Sequence, residues 1–203
     1  MNGLFSIRRS VAALAALGAL ALGSAGCAPE GPAQPPLAGA ALGGSFSLID
    51  QDGRRVTDRE FAGRYRLMYF GYTFCPDVCP TDVQVLTAGL RQFEGLHPAR
   101  AARVQPIFIT IDPERDRPAE LKAFVSAFHP RLIGLTGKPA EIAAAVKAYG
   151  GFAQKRPVDG ASGYLMDHSN TVVLYGPEGQ PIAIVPIDQG APAVAAALDR
   201  WVR

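Results

Sequence analysis

The stretch Arg66–Phe93, RLMYFGYTFCPDVCPTDVQVLTAGLRQF, decides the fold. Its first seven residues, Arg66 to Tyr72, form a near-continuous apolar run of the kind found in a strand covered on both faces. Thr73 to Pro80 interrupts that run with two prolines and reads as a loop. From Thr81 the period changes, because Val83, Leu86, Leu90 and Phe93 fall on one side of a helix. Thr81-Asp82 is a start signal, since Pro80 cannot donate a hydrogen bond and an acid favours the first turn. Cys75 and Cys79 therefore stand between a buried strand and a helix, at the carboxyl end of the strand, where the ligand sites of α/β sheets gather.

The same alternation continues downstream. Val104 to Ile111 reads as a second buried strand, Pro118 to Phe128 as a helix, Leu132 to Leu135 as a short strand and Lys138 to Tyr149 as a helix. Gly150 to Gly163 reads as irregular. Asn170 to Tyr175 and Ile182 to Val185 flank the turn Gly176-Pro177-Glu178-Gly179 and form an antiparallel hairpin, and a last helix runs from Pro192 to Val202. Upstream, Ser45 to Ile49 turns at Gln51-Asp52-Gly53 and closes on Arg54 to Val56 as a short hairpin. Strands alternating with helices imply a largely parallel sheet. The order matches an α/β thioredoxin-like fold with extra N-terminal β-strands and an inserted hairpin.

At 203 residues, 48% hydrophobic and 19% charged, the chain has the composition of one ordinary globular domain. It carries no repeating block, and three cysteines cannot make a disulfide-rich scaffold. Residues 1–26 hold Arg8 and Arg9 and then an uncharged run, Ser10 to Gly26, which is the pattern of an export signal. Ser24-Ala25-Gly26-Cys27 resembles a bacterial lipobox, although Ser24 stands where leucine is usual. Cys27 is thus the expected lipidation site, with an uncleaved N-terminal helix as the alternative, and the domain is expected on the periplasmic side of the cytoplasmic membrane. Residues 27–42, rich in Pro, Gly and Ala, suit a flexible tether, so the folded domain is expected to span 43–203. Without Arg8 and Arg9 the chain has 18 basic and 18 acidic residues, a balance that gives no footprint for nucleic acid.

Cys75 and Cys79 have two possible chemistries. They could close into a disulfide if their Cα atoms lie within roughly 4.4 to 6.8 Å, or both thiolates could bind a soft metal ion. A disulfide that merely staples the fold explains the position poorly, because so short a ring removes little unfolded-state entropy. A neighbouring helix N-terminus would lower a thiol pKa in either use. Of the histidines, His97 reads as an exposed loop residue and His129 as a helix C-terminal residue whose charged form the helix dipole favours. His168 lies in Met166-Asp167-His168-Ser169-Asn170, among polar residues placed just before a strand.

Three segments together resemble a known family. Gly71-Tyr72-Thr73-Phe74-Cys75-Pro76-Asp77-Val78-Cys79-Pro80, Thr110-Ile111-Asp112-Pro113-Glu114-Arg115-Asp116 and Asp167-His168-Ser169 are similar, in order and spacing, to the signature segments of the SCO/SenC proteins. A CxxxC alone is a weak signal, whereas CPDxCP followed about 90 residues later by Asp-His-Ser is specific. The resemblance covers residues 43–203. It implies a thioredoxin-like fold, a membrane tether, copper ligation by Cys75, Cys79 and His168, and service in assembling the copper A centre of cytochrome c oxidase.

Such a ligand set is chemically apt. Cu(I) is soft and prefers thiolate, while imidazole suits both Cu(I) and Cu(II), and three ligands leave a face open to a partner. Asp167 is a candidate acceptor for a ring N–H of His168, and Asp77 is expected to turn back onto backbone N–H groups. The segment Asp112–Pro118 reads as a charged loop with no chemistry of its own, and Phe70, Tyr72 and Phe74 as core and rim. The partners expected are the copper-binding subunit of the oxidase, other copper carriers, thiol-disulfide reductases and, through the N-terminal lipid, the membrane. The alternative function is a thiol-disulfide oxidoreductase whose Cys75–Cys79 redox pair reduces a partner's cysteines. A peroxidase or a structural zinc site fits less well, the latter for want of a fourth ligand.

Overall fold

The computed structural model describes residues 34–158 and 163–203. Its strands are β1 (Ser47–Asp50), β2 (Arg55–Thr57), β3 (Tyr65–Gly71), β4 (Val104–Thr110), β5 (Ile133–Thr136), β6 (Ala153–Pro157), β7 (Tyr164–His168), β8 (Val172–Tyr175) and β9 (Pro181–Val185). Its helices are α1 (Val78–Leu96), α2 (Pro98–Ala101), α3 (Pro118–Phe128), α4 (Pro139–Ala148) and α5 (Ala191–Trp201). Seven strands form one sheet in the order β2-β1-β5-β4-β3-β8-β9, and β6 pairs with β7 in a separate two-stranded sheet. β3, β4 and β5 are parallel. The hairpins β1–β2 and β8–β9 extend the sheet antiparallel on either side.

Every residue of β3 and β4 is buried, as the apolar runs require of central strands. Strand alternation divides β3 between two faces. Tyr69 and Gly71 turn toward the start of α1, where a Cβ on Gly71 would lie 3.2 Å from Cys79 Sγ. Phe70 turns the other way and meets the Tyr149 ring, at the end of α4, with centroids 6.0 Å apart. α1 lies along α5 and touches α3. The contact between α1 and α5 depends on Gly89, where an added Cβ would sit 2.4 Å from Val194 Cβ and 2.7 Å from the Ala191 carbonyl oxygen.

Three expectations need correction. α1 begins at Val78 rather than Thr81, because a proline within the first turn forfeits only an N–H that has no intrahelical acceptor; Cys79 is therefore helical. The stretch read as irregular contains the strand β6, AQKRP, four of whose five residues are exposed. Its apolar alternation is missing because, Ala153 apart, its side chains face solvent, and it pairs in register with β7 alone, with Ala153 opposite His168 and Pro157 opposite Tyr164. Residues 34–42 are not a free tether. The Leu37 N–H donates to the Ile182 carbonyl at 3.0 Å, the Gly43 N–H donates to the Ala148 carbonyl at 2.8 Å, and Leu42 lies against Gly150. The compact unit runs from Gln34 to Arg203. Cys27 and the expected signal lie outside the described residues.

Gly89→Ala should test the helix contact. Alanine gains about 1 kcal/mol of helix propensity over glycine, yet overpacking typically costs about 1–3 kcal/mol. A net loss of stability, read as a lower urea midpoint with unchanged slope, is the expected result.

Candidate metal centre

The loop after β3 and the first turn of α1 bring the two cysteines together. Cys75 is half-buried and Cys79 fully buried, and both are free thiols. The Cys79 N–H donates to Cys75 Sγ at 3.3 Å, so Cys75 sits on the open N-terminus of the helix. Burial pushes the Cys75 thiol up, but hydrogen bonds from the Cys79 and Asp77 N–H groups and from the Cys79 and Tyr72 side chains outweigh it and bring it below its ordinary value. Burial pushes the Cys79 thiol up to about 12. Gly71 makes room for that sulfur, since a side chain there would also strike Tyr69 and Phe108.

His168, the last residue of β7, arrives from the separate hairpin. Its Nε2 lies 3.2 Å from Cys79 Sγ, and its Nδ1 lies 2.9 Å from the Ser169 carbonyl oxygen. A carbonyl only accepts, so the proton is on Nδ1 and the Nε2 lone pair faces the cysteines, as a metal-binding imidazole requires. The Tyr69 and Tyr72 rings stand edge-on to the imidazole at 84° and 89° and fix its plane. Tyr69 in turn donates to Asp82 at 2.9 Å, and the Met166 N–H donates to the Tyr72 hydroxyl at 3.3 Å. Cys75, Cys79 and His168 thus offer three ligand atoms within 4.8 Å of one another.

Asp167 does not orient His168. Neighbouring residues of a strand point to opposite faces, so the Asp167 carboxylate faces outward and pairs with Arg156 at 3.0 Å. The backbone carbonyl of Ser169 takes the role instead. Asp77 forms no side-chain cap on α1; its backbone carbonyl accepts from the Thr81 hydroxyl at 2.9 Å. His129 ends its helix as expected, but it is buried, and burial disfavours the charged form that the helix dipole was expected to stabilise. Its Nδ1 accepts from the Arg131 N–H at 3.2 Å, so Nε2 carries the proton toward Glu94 at 3.3 Å, and the ring is neutral. His97 sits at the surface beside Asp199, at 3.0 Å.

The segment Asp112–Asp116, which sequence reading left without chemistry, braces the site. The fully buried Asp116 carboxyl accepts from the Thr73 N–H at 2.9 Å, the Thr73 hydroxyl at 2.6 Å and the Thr110 hydroxyl at 2.6 Å. It thereby ties the cysteine loop to the end of β4. Asp112 accepts from the Tyr164 hydroxyl at 2.8 Å and from Arg115, and Lys155 pairs with Glu114. The Tyr164 and Lys155 contacts hold the hairpin that carries His168. The available signal was the charge of a loop that follows a buried strand, but nothing in its spacing says which charges turn inward.

Comparison with known proteins agrees with this geometry. The SCO1/SenC family model matches residues 34–203, and the chain belongs to that family. It is 44% identical over 144 residues to the mitochondrial SCO2 homolog of Bos taurus, covering 69% of this chain and 52% of that protein. Its identity to the mitochondrial SCO1 homolog 1 of Arabidopsis thaliana is 42%, covering 70% and 42%. The chain thus spans about half the length of the curated relatives it matches. Among solved structures, it resembles the copper-bound ScoI of Bradyrhizobium japonicum with a TM-score of 0.72 and 40% identity, over 79% of this chain and 99% of that one. Copper-bound yeast Sco1 gives a TM-score of 0.72 at 35% identity, over 80% and 88%. The fold is thioredoxin-like.

Iodoacetamide should alkylate Cys75 of the reduced, metal-free protein well before Cys79, as peptide mass mapping of a time course would show. Burial holds the His129 imidazole below its ordinary value despite the opposing Glu94, so its contribution to stability is full above pH 6.5. As pH falls below 6.5 the unfolded chain takes up a proton that the folded one refuses, and stability drops by up to about 1.4 kcal/mol per pH unit. His129→Gln should flatten that decline in urea midpoints measured between pH 7.5 and 5.5.

Proposed function

We propose that this chain is a copper carrier. It holds one copper ion on Cys75, Cys79 and His168 and delivers it to the copper-binding subunit of cytochrome c oxidase during assembly of the copper A centre. The observation that carries this reading is the convergence of two sulfurs and an imidazole nitrogen of the correct tautomer within 4.8 Å. Thiolate suits Cu(I), and imidazole serves either oxidation state. The half-buried Cys75 leaves one side of the set open, where a partner's ligands can enter and take the ion in steps. Relatives solved with copper bound, at 40% and 35% identity, support the choice of metal.

The N-terminal pattern of Arg8, Arg9, an uncharged run and Cys27 supports a second part of the proposal. The domain is held to the outer face of a bacterial cytoplasmic membrane, by lipid on Cys27 or by an uncleaved helix. Among the described residues no helix is long and apolar enough to cross a membrane.

A thiol-disulfide oxidoreductase is the second reading, favoured by the accessible Cys75 with Cys79 behind it. The two separate in one experiment. Titration of the reduced, micelle-solubilised chain with Cu(I) against a chromophoric chelator should show one tightly held ion. His168→Ala should weaken it by more than the roughly 10–100-fold that outer-shell changes cost, while leaving disulfide exchange with a small thiol reagent nearly unchanged. No competition from the wild type would sink the copper reading. Unchanged copper affinity in His168→Ala would remove the histidine from the ligand set.

A further inference from the structure

The hairpin β6–β7 belongs to no larger sheet, yet it supplies one of the three ligands. Among the described residues, its side-chain-mediated hydrogen bonds and ion pairs to the rest of the domain run to Tyr72, Cys79 and the segment Asp112–Arg115. Arg115 is the centre of that anchorage. Its guanidinium lies 3.8 Å from the Tyr164 ring centroid on the hairpin, and 5.7 and 5.2 Å from the Tyr72 and Phe74 rings, which flank the cysteine loop. One of its nitrogens donates to the Tyr164 carbonyl at 3.0 Å and another to the buried Asp112, which also accepts from the Tyr164 hydroxyl. The remaining nitrogen, Nη2, is buried with no hydrogen-bond partner among the described residues. The aromatic faces around the cation compensate it, as they can for a desolvated guanidinium.

We infer that Arg115 is a positioning residue for the metal centre: clasped between Tyr164 and Asp112, it holds the hairpin down and so keeps His168 on the ion. When the clasp is lost the hairpin lifts, the imidazole leaves, and the two thiolates remain where Asp116 and α1 keep them. A structural arginine of the core would weaken everything together. The clasp weakens only what His168 contributes.

This inference rests on His168 being a ligand, and the test separates the two claims. Cu(I) competition is measured on the full reduced chain for wild type, Arg115→Gln, Tyr164→Leu, His168→Ala and the pair Arg115→Gln with His168→Ala. Arg115→Gln and Tyr164→Leu should each weaken binding by about 10–100-fold, the range of outer-shell changes. Arg115→Gln should add less than about threefold on the His168→Ala background, as coupled residues do. After Cu(II) loading, pulsed electron paramagnetic resonance should show imidazole nitrogen coupling diminished in Arg115→Gln, while the thiolate charge-transfer band persists. Arg115→Lys, which keeps a cation over the ring but loses the fork of donors, should lie between. If His168→Ala weakens binding but neither clasp variant does, the clasp is wrong and the ligand set stands. An equal loss from Arg115→Gln with and without His168, or a lost thiolate band, also overturns the clasp. If Arg115→Gln does not fold, Tyr164→Leu decides alone, because it leaves the cation beside the cysteine loop. If His168→Ala itself changes nothing, the ligand reading fails first.

Discussion

The site depends on one buried carboxyl. Asp116 accepts three hydrogen bonds, two from Thr73 and one from Thr110, in a place fully removed from water. Burying such a group is costly unless every lone pair finds a donor. Here the donors come from the loop that leads to Cys75 and from the strand beside it. Thr110 also accepts from the Asp112 N–H at 2.9 Å, and Thr136 donates to the Asp116 carbonyl at 2.8 Å, so the ends of β4 and β5 are bound into the same network. Burial pushes the Asp116 carboxyl above its ordinary range, against the hydrogen bonds of Thr110 and Thr73. The short loop from β3 to α1, in which Pro76 lacks a backbone donor, is anchored from outside by this network.

The two cysteines then differ because of where the helix begins. The first turn of α1 points its free N–H groups at Cys75, while Cys79 lies inside the turn against Gly71 and is sealed from solvent. One thiol is shifted below its ordinary value and the other, by burial, above it. The imidazole completes the set with its lone pair already exposed, because the Ser169 carbonyl takes the other ring hydrogen.

Much of this was legible in the residues. The shift from the apolar run of Arg66–Tyr72 to the helical period of Val83, Leu86, Leu90 and Phe93 marks the strand and helix that hold the cysteines, and the Asp-His-Ser segment points to His168. What escaped has common physical causes. β6 carries no signal because four of its five residues, on both faces of the ribbon, are exposed and need no apolar alternation. Asp167 was assigned to its neighbour in sequence, although a strand places that neighbour on the opposite face. Asp112, Arg115 and Asp116 carry the signs of a solvated loop, and only three-dimensional closure turns them inward toward Tyr164 and Thr73. His129 escapes for the same reason, since the burial that keeps its ring neutral, against the pull of Glu94, is assembled from distant segments.

The three candidate ligands are also unequal in how far along the chain they lie from one another. Cys75 and Cys79 meet through contacts within a few residues, whereas His168 is 89 positions from Cys79. Closing the larger loop costs more chain entropy than closing the smaller one. A soft ion that reached the chain during folding would therefore meet a dithiol before an imidazole. Loading before and after the hairpin docks would begin from different coordination chemistries, and only the second begins from the complete set.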